Sequence, residues 1–293
     1  MIKEYKDSIR VLAYIVILTA INYLFPFLSL AVMLLWPVPI VYLVQKAETP
    51  RVILVIAAAA LLNGIFFGAF MGLITVIGFG MVGFIIGNVI KEDLSPLKTL
   101  IISVIAVMIS QALVVYISAN MVALNYENLI QEAINTLGAE LQDQNLEQLI
   151  RAQMIYIRMI FPSLLAVTAT VTGIFNYYLS AWYLRRRGLN IDLYKTVSSW
   201  YLPRWPMSIL IVISILMRSN LIFLNLHVYL FFLAFVQGFG VLMYFLSSRN
   251  SSLLLKTFII FLIFVFPPIF MVLILLGLID LWFNLRNQSS QPG

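Results

Sequence analysis

The sequence predicts an all-α, polytopic bundle of transmembrane helices, and three observations carry that prediction. Hydrophobic residues make up 62% of the 293 positions and charged residues only 10%, against about 25% charged in an ordinary soluble domain. Apolar runs of membrane-spanning length recur from one end of the chain to the other. Those runs are continuous and lack the period-2 alternation of a barrel strand, so helices must satisfy their backbone hydrogen bonds in lipid.

Taken in order, the first run extends from about Val11 to Phe25 and stops at Pro26. Lys3, Lys6 and Arg10 precede it as in a signal peptide, but no small-residue cleavage site closes it, and it reads as an uncleaved first helix. The second covers Phe27 to Val44 and carries Trp36, Pro37 and Pro39, whose missing backbone donors bend or break it. The third occupies Val52 to about Phe70, the fourth Leu73 to Ile90, the fifth Thr99 to Met121 and the sixth Met159 to Leu184. Met207 to Leu246 is long enough for two more spans around a turn near Asn220 to Asn225. The run Thr257 to Phe283 is interrupted by Pro267 and Pro268, and reads as one broken ninth span or as a re-entrant pair of half-helices. The expectation is therefore eight spans plus this broken ninth.

With the amino terminus in the cytoplasm, 14 of 18 basic residues fall on the inner face, and only Arg151, Arg158, Arg218 and Arg286 fall outside. Six acidic residues lie on each side, which leaves the inner face at +8 and the outer at −2. This is the asymmetry of the positive-inside rule. It also accounts for the net charge of +6 without a nucleic-acid partner.

Two polar intervals divide the chain into a five-helix region 1–122, an extracytoplasmic segment 123–158, and a second membrane region 159–293 with a basic connector 185–206. The first interval is acidic, with Glu127, Glu132, Glu140, Asp143 and Glu147. Apolar residues at Tyr126, Ile130, Ala133, Leu137 and Leu141 give it the spacing of an amphipathic helix, which either lies over the bundle or forms a lid on an outward-facing site. The second interval holds Arg185, Arg186 and Arg187, attracted to anionic lipid, and Trp200 and Trp205, suited to the headgroup level. It reads as an interfacial connector or as a docking site for a cytoplasmic partner.

Small residues four apart, Ala60, Gly64, Gly68 and Gly72, form a ridge in the third span, and Gly83 and Gly87 repeat the spacing in the fourth. Helices in lipid associate through such close backbone approach, so these two are expected to cross tightly.

The chemistry that is missing is equally informative. There is no cysteine and a single histidine, His227, which excludes disulfides, thiolate nucleophiles and multi-histidine metal sites. Span centres carry no Asp, Glu or Lys, a pattern that argues against ion coupling and against an intramembrane aspartyl protease. No GxxxxGK[ST] loop is present for ATP hydrolysis. No enzyme activity and no cofactor are expected. The neutral groups Asn22, Asn63, Gln111, Asn120, Asn176 and Gln237 remain, and of these Asn22, Asn63, Gln111 and Asn120, with Arg218, fall in the outer half, where Asn63, Gln111, Asn120 and Arg218 are the candidate ligand-binding residues.

The Phe25-Pro26-Phe27 break, the Trp36-Pro37-Val38-Pro39 segment and the glycine-rich stretch ending Gly83-Phe84-Ile85-Ile86-Gly87 resemble the substrate-binding S components of energy-coupling-factor transporters, over about residues 9–122. With Trp200-Tyr201-Leu202-Pro203-Arg204-Trp205 included, most of the chain is similar to the YybS family of bacterial multi-pass membrane proteins. The resemblance implies a protein of the bacterial cell membrane that binds a micronutrient-like molecule and is served by a separate coupling protein with ATPases. That reading requires a closed polar pocket near Asn63 and Gln111. The alternative is a membrane scaffold or regulator that recruits cytoplasmic partners through the arginine-rich connector.

Overall fold

Proline and glycine set most of the helix boundaries. In the computed structural model, which describes residues 2–121, 128, 132, 144–217, 219–249 and 251–286, every regular element is helical. The first helix, α1 (Ile2–Leu24), ends before Pro26, and a 3-10 turn at Pro26–Leu28 leads into α2 (Ser29–Leu35). Pro37 and Pro39 separate α2 from α3 (Val38–Lys46), because neither ring can donate to the preceding turn. Helix α4 (Thr49–Phe67) carries Pro50 in its first turn, where a missing N–H costs nothing. It stops at Gly68, whose φ of +95° is a conformation glycine adopts without strain. One span then comprises α5 (Ala69–Ile74), a seven-residue π-helical segment at Thr75–Met81, and α6 (Val82–Lys91). Helix α7 is Pro96–Met121.

Helix α8 (Gln144–Arg186) has 43 residues and so a length of about 65 Å at 1.5 Å per residue, roughly twice the hydrocarbon thickness. The expected boundary at 158/159 thus falls inside one unbroken helix, while 123–143, apart from Asn128 and Glu132, lies outside the described residues. Pro162 sits inside α8. There the Asn225 side chain meets the helix backbone: its Nδ2 donates to the Met159 carbonyl (2.9 Å) and its Oδ1 accepts from the Ser163 N–H (2.9 Å). An inserted amide of this kind satisfies backbone groups that a proline disturbs.

The remaining elements are α9 (Arg204–Leu216), α10 (Leu221–Ser248), α11 (Leu253–Val265) and α12 (Pro268–Phe283). Among the described residues seven helical segments are long and apolar enough to cross a membrane, and an eighth is added if α11 and α12 form one span. The seventh expected span is shorter than predicted: α9 has 13 residues, about 20 Å of helix. The run 257–283 is two helices meeting at 107° around Pro267.

Contacts group the chain into two units, residues 1–142 with 168–194, and residues 143–167 with 195–293. The first has its core where α1, α3, α4 and the π segment meet, around Ile15, Ile40, Leu43, Val55, Ala59 and Phe79. A second cluster joins Val41 and Ile86 to Val107, Ala169 and Leu184. The second unit packs Met207, Ile211, Leu230, Ala234 and Leu281. Large apolar side chains also cover the outside, with Phe27 80% and Leu61 69% exposed, as expected where the solvent is lipid.

The glycine ridge is not a single helix face. Gly68 turns the chain between α4 and α5, so Gly72 comes back against α4, and a Cβ there would stand 2.8 Å from the Ala60 carbonyl oxygen and 3.2 Å from the Gly64 Cα. The two helices do cross tightly, through a turn rather than along a groove. Gly83 and Gly87 face α3 instead, with Cβ positions 2.7 Å from Ile40 and Val44.

Candidate functional site

Asn63 is fully buried at the junction of α1, α4 and the π segment. Its Nδ2 donates to the hydroxyls of Thr19 and Thr75, both at 2.8 Å. Each threonine in turn donates to a carbonyl one turn back in its own helix, Ile15 and Met71. Three helical segments are thereby tied by one neutral network. The Asn63 Oδ1 has no partner in this enclosed site. The π segment is held on another side by Ser110, whose hydroxyl donates to the Ile77 carbonyl at 3.0 Å.

The other expected ligand residues do not join Asn63. Gln111 Oε1 accepts from the Thr168 hydroxyl at 3.1 Å. Asn120 is exposed and donates to Tyr116 in its own helix. Arg218 lies outside the described residues. Two cavities open elsewhere in the first unit. One of about 210 Å³ is walled by Asp93, Ser95, Thr99, Tyr177, Asn190 and Asp192. The other, of about 250 Å³, lies at the turn between α3 and α4. Asn63, Gln111 and Asn120 line neither.

The strongest concentration of buried charge is in the second unit, at the end of α12. Asp280 and Arg286 are both solvent-inaccessible and pair at 2.8 Å. Asp280 Oδ2 also accepts from Gln237 Nε2 (2.8 Å) and its Oδ1 from the Leu285 N–H (2.9 Å). Further bonds join the cluster to the connector. Arg286 Nη1 donates to the Ser198 carbonyl (2.9 Å), Gln237 Oε1 accepts from the Leu202 N–H (2.8 Å), and the Tyr201 hydroxyl donates to the Leu281 carbonyl (2.9 Å). A charge removed from water is tolerated only when paired and hydrogen-bonded; these bonds supply that, although the Arg286 Nε has no partner among the described residues. Glycine makes the approach feasible: a Cβ on Gly240 would stand 2.7 Å from the Val197 carbonyl oxygen.

Arg286 is bonded to the Ser198 carbonyl of the connector. Helix α10 meets the connector at Gln237 and Gly240 and runs on to Ser248. The bent pair α11 and α12 is compatible with both readings of 257–283, one broken span or a re-entrant pair. In the sequence Gln237 stands out as a neutral group within a span and Arg286 as a basic residue near the end of the chain, with nothing to join them to Asp280. The nearest thing to a signal is an acid in the last turn of an otherwise uncharged apolar run, followed by an arginine six residues on.

Arg185, Arg186 and Arg187 are exposed. Arg185 Nε donates to the Ile191 carbonyl at 2.7 Å, Arg186 lies over the Trp182 ring, and Arg187 donates to the Tyr183 hydroxyl at 2.8 Å. That hydrogen bond raises the Arg187 pKa further, so the guanidinium stays charged. Trp200 donates to the Lys195 carbonyl, and Trp205, 57% exposed, stands edge-on to Trp282 at 5.1 Å. Among the described residues no group of three or more His, Cys, Asp or Glu is placed to hold a metal ion.

The chain belongs to the DUF2232 family of predicted membrane proteins, whose model matches residues 13–281. No curated protein and no solved structure matches it.

Proposed function

We propose that this multi-pass membrane protein is a non-catalytic scaffold of the bacterial cell membrane that recruits a cytoplasmic protein through the arginine-rich connector 185–206. The observation that carries this reading is the buried Asp280–Arg286–Gln237 cluster, whose outward hydrogen bonds go to the backbone of Ser198 and Leu202. Ionisable groups buried in a membrane protein are costly and usually functional. Here they hold the stretch 198–202 in one conformation, which favours a partner that reads the shape of that stretch. Affinity purification from native membranes tests it. Replacing Arg185, Arg186 and Arg187 with Gln should remove a specific co-purifying cytoplasmic protein while insertion and thermal midpoint stay unchanged. Retention of that protein by the triple variant defeats the proposal.

A second reading, small-molecule binding of the kind the S-component resemblance implies, is favoured by the unpartnered, fully buried Oδ1 of Asn63. Its signature in the same purification is one enriched metabolite, lost in Asn63→Leu, together with a coupling protein and ATPases.

A further inference from the structure

The cavity of about 250 Å³ at the turn between α3 and α4 is lined by Gln45, Lys46, Ala47, Glu48, Arg51 and Lys91. Three cations face one carboxylate, so the lining carries a net positive charge of two. The cations arrive from two segments far apart in sequence, and tertiary bonds fix where they meet. Gln45 Nε2 donates to the Gly87 carbonyl at 2.7 Å, and Lys91 Nζ reaches back to the Val44 carbonyl at 3.2 Å. These two bonds clamp the end of α3 to the end of α6. Arg51 lies 4.9 Å from the Tyr5 ring centroid, which positions its guanidinium by a cation–π contact.

Positive residues at the end of a span are ordinary, but they usually project separately. These converge on one concavity. Immediately along α4 the exposed side chains become apolar, with Ile53 54%, Leu54 66% and Leu61 69% exposed. A ligand that satisfies both features has an anionic head for the cavity and acyl chains for the flank of α4. Basic pockets between helices at a membrane face bind phosphate-bearing headgroups in this way. We infer that this cavity binds the phosphate of an anionic phospholipid headgroup.

Native mass spectrometry of the full chain tests the inference, after incubation with dioleoyl phosphatidylglycerol or dioleoyl phosphatidylcholine in detergent. The wild type should retain phosphatidylglycerol in preference. Lys46→Gln with Lys91→Gln should retain it about thirtyfold less, the value of two headgroup contacts. Lys46→Arg with Lys91→Arg should restore retention, which separates lost charge from lost folding. Lys98→Gln with Lys195→Gln, an equal charge change elsewhere, should behave as wild type. Equal loss in both glutamine pairs, or no preference over phosphatidylcholine, overturns the site. Inorganic phosphate alone is the second arm. If it raises the thermal midpoint of the wild type as much as the lipid does, and not that of Lys46→Gln with Lys91→Gln, the ligand is a free phosphate and the lipid assignment fails.

Discussion

The two units meet the same problem, holding helices together where lipid is as apolar as leucine, with different chemistry. In the first, neutral groups do the work. Asn63 ties Thr19 and Thr75, Ser110 ties the π segment, and glycines at 64 and 72 bring α4 and α5 into contact. In the second, a buried ion pair and an amide join α10, α12 and the connector, and the glycine contacts are closer still, with a Cβ on Gly238 lying almost on the Leu273 carbonyl oxygen. The difference follows from what is being fixed. Helix-to-helix contacts need only small residues and a neutral bond or two. An irregular connector exposes its own N–H and C=O groups, and these require strong fixed partners.

The comparison can be broken most severely at the ion pair. Asp280→Asn leaves a buried guanidinium without its counter-charge and should cost about 3–5 kcal/mol. The loss should appear as a collapsed thermal midpoint in detergent, while Asp280→Leu combined with Arg286→Met recovers most of it. If the single variant is harmless, charge is not what fixes the second unit.

Next in size are the glycines of α10 and α12. Gly277→Ala would force a Cβ against the Ala234 carbonyl and should cost about 1–3 kcal/mol by the usual toll of overpacking. Gly64→Ala, where the nearest atom is 3.8 Å away, should stay within about 0.5 kcal/mol of wild type. Equal effects of the two in the same denaturation assay would remove the contrast in packing.

The polar insertions come last. Asn225→Leu strips the Met159 carbonyl and the Ser163 N–H of their side-chain partner beside Pro162, and should cost about 1–2 kcal/mol. It should also speed hydrogen exchange in residues 159–163. Asn63→Leu removes two bonds but also a buried unpartnered oxygen, so its cost should be smaller, about 0.5–1 kcal/mol. A larger loss for Asn63→Leu than for Asp280→Asn would invert the ranking of the two units.

Most of the architecture was legible because hydrophobic length and proline position act locally. The breaks at Pro26, at Pro37 and Pro39, and at Pro267 and Pro268 each mark a helix boundary. The four-residue ridge was legible as small residues but not as geometry, since spacing alone does not reveal that Gly68 leaves the helix with positive φ and sends Gly72 back onto α4. The charged cluster was legible only as three isolated residues, because Gln237 and Asp280 are 43 positions apart and nothing local links them. The same blindness hid the bond between Arg286 and the Ser198 carbonyl, 88 positions apart.

By itself, then, the sequence determined that this protein is an all-α bundle in a membrane and where most of its helices run, since each depends on transfer of local segments from water to lipid. Tertiary structure alone decided that Asn63 ties Thr19 to Thr75, that the end of α12 meets the connector, and that Lys46, Arg51 and Lys91 share one cavity. Those outcomes depend on which distant polar groups find each other once water is gone, and that pairing is written in no single stretch of chain.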